Sequence, residues 1–223
     1  MEDFTAILKL IEAAPLIDSV DLNEYITIDL SKENKDLTQN RLEIPEEFEK
    51  YIESYLSDNK AKVAFGGYLE ERKLYQRSTL FNNSQETERN IHIGLDLWIK
   101  SGTIINCPLD GKVHSFKNNE GLGDYGPTII LEHTVKNHVF HTLYGHLSLE
   151  SITDLSVGKS YKKGERLAAL GNYSENGNYA PHLHFQIIKK IESFYGDYPG
   201  VCSKKDLDYY SENCPDPKLI LKI

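Results

Sequence analysis

Four histidines and one aspartate are spaced so that they could hold a metal ion and move protons beside it. His182 and His184 lie two apart in the string HLHF, among residues that favour extended structure, and side chains at i and i+2 of a strand share a face. His92 and Asp96 are four apart in HIGLD. An extended segment puts them on one side; a helix would too, but Ile91, Ile93 and Gly94 disfavour helix. His92, Asp96 and His184 would supply three ligands to a tetrahedral zinc, leaving the fourth position for water, which is the pattern of a catalytic rather than a structural site. Zinc lowers the pKa of bound water to about 7 and polarises a carbonyl. His146, in LYGHLS, and His182 then remain as a general base and as a donor to a tetrahedral intermediate. The sequence contains no H-E-x-x-H, so no glutamate is placed as the base.

Histidine alone is weak evidence. An isolated HxH is more often a hydrogen-bonded pair, and His114, His133, His138 and His141 have no second motif residue at a telling spacing. All four are read as ordinary structural histidines, His133 being the least secure of them because its place after Leu131-Glu132 could bring it near the cleft as a support behind a ligand. Tyr68, Arg72, Tyr75, Tyr173 and Tyr179 are candidates to line the cleft, although packing is the commoner role for half-buried tyrosines.

The elements that must position these groups follow from the pattern of apolar residues. Phe4, Ile7, Leu8 and Ile11 predict a helix over Asp3–Ala14, ended by Pro15. Residues 25–30 (YITIDL) read as a strand, 31–40 as a polar loop, and Pro45 as the first residue of a helix striped by Phe48, Tyr51, Ile52 and Tyr55. Residues 63–75 read as a glycine-interrupted strand and 81–90 as a surface loop. From Ile91 to Ile188, short β-rich runs alternate with Asp-Gly, Lys-Gly and Asn-Gly turn signals, and helical signals are absent. The expectation is an α+β fold, with a mostly antiparallel β half-barrel or sandwich core and a smaller helical N-terminal region. Residues 1–62 would form the N-terminal helical/β extension, 63–190 the β-domain that carries the histidines, and 191–223 a tail packed on that domain and wrapping its surface.

With 223 residues the chain can bury a sizeable core without disulfides. Its three cysteines, Cys107, Cys202 and Cys214, form no C-x-x-C pair and are expected to be free, buried thiols. The net charge of −9 argues against nucleic acid as a partner. No run approaches the roughly 20 apolar residues of a membrane span. The first residues have neither a basic segment nor a long apolar run, so the expected compartment is the cytoplasm; a cell-envelope role would need export by another route.

Taken together and in this order, HIGLD, LYGHLS and GNYAPHLHF resemble the lysostaphin-type zinc endopeptidases, which cut peptidoglycan peptides. The similarity covers about Ile91 to Ile188. It implies a duplicated hybrid β-motif with a groove, one zinc per chain held by His92, Asp96 and His184, and His146 and His182 as the catalytic pair. The substrate implied is a peptidoglycan-type peptide. The flanking strings GGYLEERKLYQRS and GDYPGVCS are similar to a subset in which such a domain is joined to kinase-like and aminotransferase-like modules, so association with other enzyme modules is a further expectation. The chain departs from the family pattern at GLGDYGPT (Gly121–Thr128) and GNYSENGNYAP (Gly171–Pro181), two loops expected to border the cleft. The alternative is a non-catalytic peptide-binding or regulatory module on the same fold; a phosphocarrier using paired histidines is a third reading.

Overall fold

Period-two alternation in one central strand divides the molecule into a packed side and a working side. The computed structural model describes residues 3–77 and 88–223. In chain order its elements are α1 (Phe4–Leu10), β1 (Tyr25–Thr27), α2 (Gln39–Glu43), α3 (Pro45–Asp58), β2 (Val63–Gly66), β3 (Arg89–His92), β4 (Leu95–Trp98), β5 (Ile104–Asn106), β6 (Gly111–Asn119), β7 (Gly126–Val135) and β8 (His138–Gly145). They continue with α4 (Glu150–Thr153), β9 (Ser160–Tyr161), β10 (Arg166–Ala169), β11 (His182–Ile188), β12 (Val201–Ser203), α5 (Leu207–Asn213) and α6 (Lys218–Leu221). Eight strands form one sheet in the order β1-β2-β4-β11-β8-β7-β6-β9; β10 pairs with β5, and β12 with β3. Every pairing is antiparallel except β1 with β2. The result is a mostly antiparallel α+β fold with short helices.

Along β11, Leu183, Phe185 and Ile187 enter the largest apolar cluster with Leu95, Leu97 and Tyr144. His182, His184 and Gln186 therefore face the other way. β11 is buried at all seven positions, so this second face is covered too. At one end the cover comes from α3, whose Phe48 and Ile52 join Ala64 and Trp98. At the other it comes from the C-terminal segment, where Tyr198, Cys202 and Cys214 pack with Ile91, Ile93 and Leu143. A cleft is left between the two covers.

Trp98 fixes the α3 end. Its ring meets Phe48 edge-on at 5.1 Å and lies flat against His182 at 3.9 Å, and it is fully buried. Trp98→Ala is expected to lower stability by about 3–5 kcal/mol, the usual cost of emptying such a site, as measured by denaturant unfolding. A loss below about 1 kcal/mol would show that α3 closes onto the gap.

Several elements differ from the sequence expectation, each for a physical reason. The first helix stops at Leu10: Ile11 is already extended, and the chain beyond it bonds to another segment, with Ala14 N–H donating to the Pro108 carbonyl and Asn106 N–H to that of Leu16. The strand expected over 25–30 is regular only to Thr27. The polar loop after it ends at Thr38, whose hydroxyl caps α2. The strand expected over 63–75 ends at Gly66, since Gly67 (φ +99°) and Leu69 (φ +56°) turn the chain back, and residues 74–77 form a 3-10 turn. Of the loop expected over 81–90, residues 81–87 lie outside the described residues, and Arg89 and Asn90 already belong to β3. One helical turn, α4, interrupts the β-rich region. The tail does not merely wrap the surface: β12 pairs with β3, and Tyr198, Cys202, Cys214 and Ile220 are buried. The three cysteines are free and buried.

Candidate metal centre and cleft

Register assembles the site. In the β11–β4 pairing His184 lies opposite Asp96 and His182 opposite Trp98, and directly opposed residues of antiparallel strands place their side chains on one face. On its other edge His184 lies opposite Gly145, the last residue of β8, so His146 follows immediately beside it. His92 closes β3, and two residues, Ile93 and Gly94, separate it from β4. Gly94 in that short link leaves room for the His184 ring, because a β-carbon there would sit 2.5 Å from its Cε1.

Three ligand atoms converge. His92 Nε2 is 2.9 Å from His184 Nδ1, and Asp96 Oδ1 is 3.3 Å from each. Hydrogen bonds behind the rings set the protons. His92 Nδ1–H donates to the Gly67 carbonyl at 2.9 Å; a carbonyl only accepts, so Nε2 is left bare. His184 Nε2–H donates to Gln186 Oε1 at 2.9 Å, and the Gln186 amide nitrogen donates to the Pro199 carbonyl and to Cys214 Sγ, which fixes that amide's orientation. His184 Nδ1 is therefore bare as well. Asp96 Oδ1 is buried without a hydrogen-bond partner among the described residues.

Two lone pairs and an orphaned carboxylate oxygen facing one point repel one another unless a cation sits among them, and two imidazoles with one carboxylate suit zinc. Among the described residues no other three His, Cys, Asp or Glu side chains gather in this way. Burial works against charge on Asp96, but the Arg72 guanidinium bonded to its Oδ2 outweighs it and holds the carboxyl well below its usual range. Burial pushes His92 down to about 4, so the imidazole is neutral and able to ligate at neutral pH.

His146 and His182 stand beside this cluster with ring centroids 4.2 Å apart. His146 Nδ1–H donates to the Asn176 carbonyl and His182 Nδ1–H to that of Ala180, each at 2.8 Å, so both present a bare Nε2. Burial holds both in the neutral form, His182 at about 4 and His146 well below its ordinary value. His146 has φ +62°, an uncommon conformation for a side-chain-bearing residue; its own N–H donates to the Tyr125 carbonyl and its carbonyl accepts from Gly171 N–H.

All five residues line one cavity of about 270 Å³. The two loops expected at its border do line it, and they are tied to each other: Gly123 N–H donates to the Gly177 carbonyl, and the Tyr179 hydroxyl donates to that of Gly123. Arg72, Tyr75 and Tyr179 line the cavity. Tyr68 instead donates to the Cys214 carbonyl, and Tyr173 is on the surface. His133 is elsewhere, bonded to the Asp110 carbonyl and the Thr142 hydroxyl. His114 and His141 meet each other edge-on, away from the cavity lining.

Tyr125, Gln186, Asp124 and Asp197 were not singled out from the sequence. The Tyr125 hydroxyl is 3.4 Å from His184 Nε2, and burial keeps the phenol protonated. Gln186 did carry a signal, standing two residues beyond His184 on the same strand face.

Residues 90–195 match peptidase family M23. The matched segment contains all five residues of the cluster, His92, Asp96, His146, His182 and His184. An uncharacterized metalloprotease of Haemophilus influenzae is 33% identical over 95 residues, a match covering 43% of this chain and 18% of that protein. The chain thus spans less than a fifth of this curated relative. Among solved structures, a zinc-containing peptidase from Vibrio cholerae is 28% identical, with 48% of this chain and 30% of that one covered, at a TM-score of 0.36. The catalytic domain of lysostaphin from Staphylococcus simulans is 24% identical, with 55% and 80% covered, also at 0.36. Among the described residues no helix is long and apolar enough to cross a membrane.

Proposed function

We propose that the chain is a zinc-dependent endopeptidase that hydrolyses an amide bond in a peptidoglycan-type peptide. The observation that supports this most is the convergence of His92 Nε2, Asp96 Oδ1 and His184 Nδ1 beside two further imidazoles with bare Nε2 atoms. Zinc held by the three ligands would supply a Lewis acid that makes water nucleophilic near neutral pH and polarises the scissile carbonyl.

The chain's own groups do the rest. Either bare Nε2 of the His146–His182 pair takes the proton of the attacking water; once protonated it is an N–H donor, first to the carbonyl oxygen as it gains charge and then to the leaving amine. With the rings 4.2 Å apart and buried, the pair carries one added proton rather than two. The hydrogen bonds from Nδ1 to the Asn176 and Ala180 carbonyls hold both rings in position for this transfer. The Tyr125 phenol and the carboxylates of Asp124 and Asp197, with Arg89, give the walls hydrogen-bonding groups and both signs of charge. Such walls suit a peptide that carries amino and carboxylate groups.

The test pairs elemental analysis of the purified chain with mass spectrometry of cell-wall stem and bridge peptides after incubation. One zinc per chain, and cleavage abolished by a chelator and restored by zinc, is the expected result. Zinc with cleavage only of other peptides would overturn the substrate class. A chain that takes up no zinc would overturn the mechanism and favour a non-catalytic binding module.

A further inference from the structure

We infer that Arg72 is a positioning residue that confines Asp96 to a single coordinating oxygen; this rests on the zinc reading above. The two oxygens of Asp96 meet different surroundings. Oδ2 accepts from Arg72 Nη1 at 2.5 Å, while Oδ1 faces His92 and His184 with no hydrogen bond. A carboxylate with both oxygens free could bind a metal through one or both. Here one is occupied.

Arg72 is itself held. Its Nε donates to Glu70 Oε2 at 2.5 Å, and Glu70 Oε1 accepts from Leu30 N–H at 3.0 Å. Its backbone N–H donates to the Asn90 carbonyl, and His92 N–H donates to that of Glu70, so the segment bearing Arg72 is laced to the strand that carries His92. The guanidinium is buried and packs over Gly67, where a β-carbon would sit 1.9 Å from Nη2. Gly67 is also the residue whose carbonyl orients His92. One turn of chain, Gly67 to Arg72, thus sets the orientation of two of the three ligands. It lies outside residues 90–195, the part that matches the peptidase family.

The experiment uses the full chain loaded with Co(II), whose visible d–d absorbance falls as coordination number rises. Wild type is compared with Arg72→Met, which keeps bulk without charge, and Arg72→Lys, which keeps charge without a fork able to reach Glu70 and Asp96 together. Wild type is expected to bind one cobalt with strong absorbance. In Arg72→Met, the freed Oδ2 becomes a second donor, so absorbance drops, and cobalt affinity falls by about 10–100-fold, the usual effect of losing a group that orients a ligand. In Arg72→Lys the fold is retained and absorbance still drops.

Wild-type absorbance and affinity in both variants would overturn the inference while leaving the zinc site intact. If Arg72→Met does not fold, Arg72→Lys alone decides by the same criterion. Failure of the wild-type chain to take up cobalt would instead overturn the metal reading itself.

Discussion

Alanine at His184 is expected to leave a folded chain that holds no stoichiometric zinc and hydrolyses nothing. In the proposed site the ring would supply one of three protein ligands, and its Nδ1 lies between His92 Nε2 at 2.9 Å and Asp96 Oδ1 at 3.3 Å. Two ligands do not retain zinc against a chelator, because the three-ligand set is what a catalytic site requires. The neighbouring strands keep their pairing, since β11 bonds to β4 and β8 through backbone. The decisive readout is thermal. A ligand that binds only the folded state at about 1,000 times its Kd adds about 4 kcal/mol, so a chelator should lower the wild-type Tm and leave that of the variant unchanged. Zinc at full occupancy in His184→Ala would remove this residue from the ligand set.

The second large effect separates proton transfer from metal binding. Asparagine replaces His146 with little backbone cost, because it tolerates the left-handed conformation at φ +62° better than alanine does. His146→Asn should keep one zinc per chain and a KM close to wild type while kcat falls by about 10²–10⁴-fold, the range for losing a positioned acid–base group. Parallel metal analysis and steady-state kinetics check both halves. A kcat within a factor of about three of wild type would pass the base to His182, since a real acid–base group contributes far more than that.

The metal cluster was legible from the chain because its rule is local. HLH and HIGLD are even spacings, and a strand turns even spacing into a shared face whatever surrounds it. What pairs His184 with Asp96 is register across 88 residues of chain, which no local spacing encodes; there the motif strings supplied what periodicity could not. Arg72 was visible only as a candidate wall residue. Its bonds to Asp96 and Glu70 depend on Gly67 and Leu69 folding the segment back, where alternation had suggested a continuing strand. The first helix ended early for a similar reason: Ile11 fits the helical stripe, yet it is already extended, and the chain beyond it bonds to residues 106–108. In the C-terminal segment, a composition rich in Pro, Gly, Asp and Tyr suggested surface and hid how much of it is buried.

The thiol of Cys214 turns that buried segment into a clock. Its Sγ accepts from Gln186, the side chain that orients His184, and burial pushes the thiol up to about 12, so it is unreactive while the segment stays in place. Alkylation of Cys214 is therefore expected to proceed only as fast as the buried segment that carries it opens. The rate at which this sulfur is modified measures how often the support behind His184 is lost, on a timescale that neither a static distance nor a steady-state rate reports.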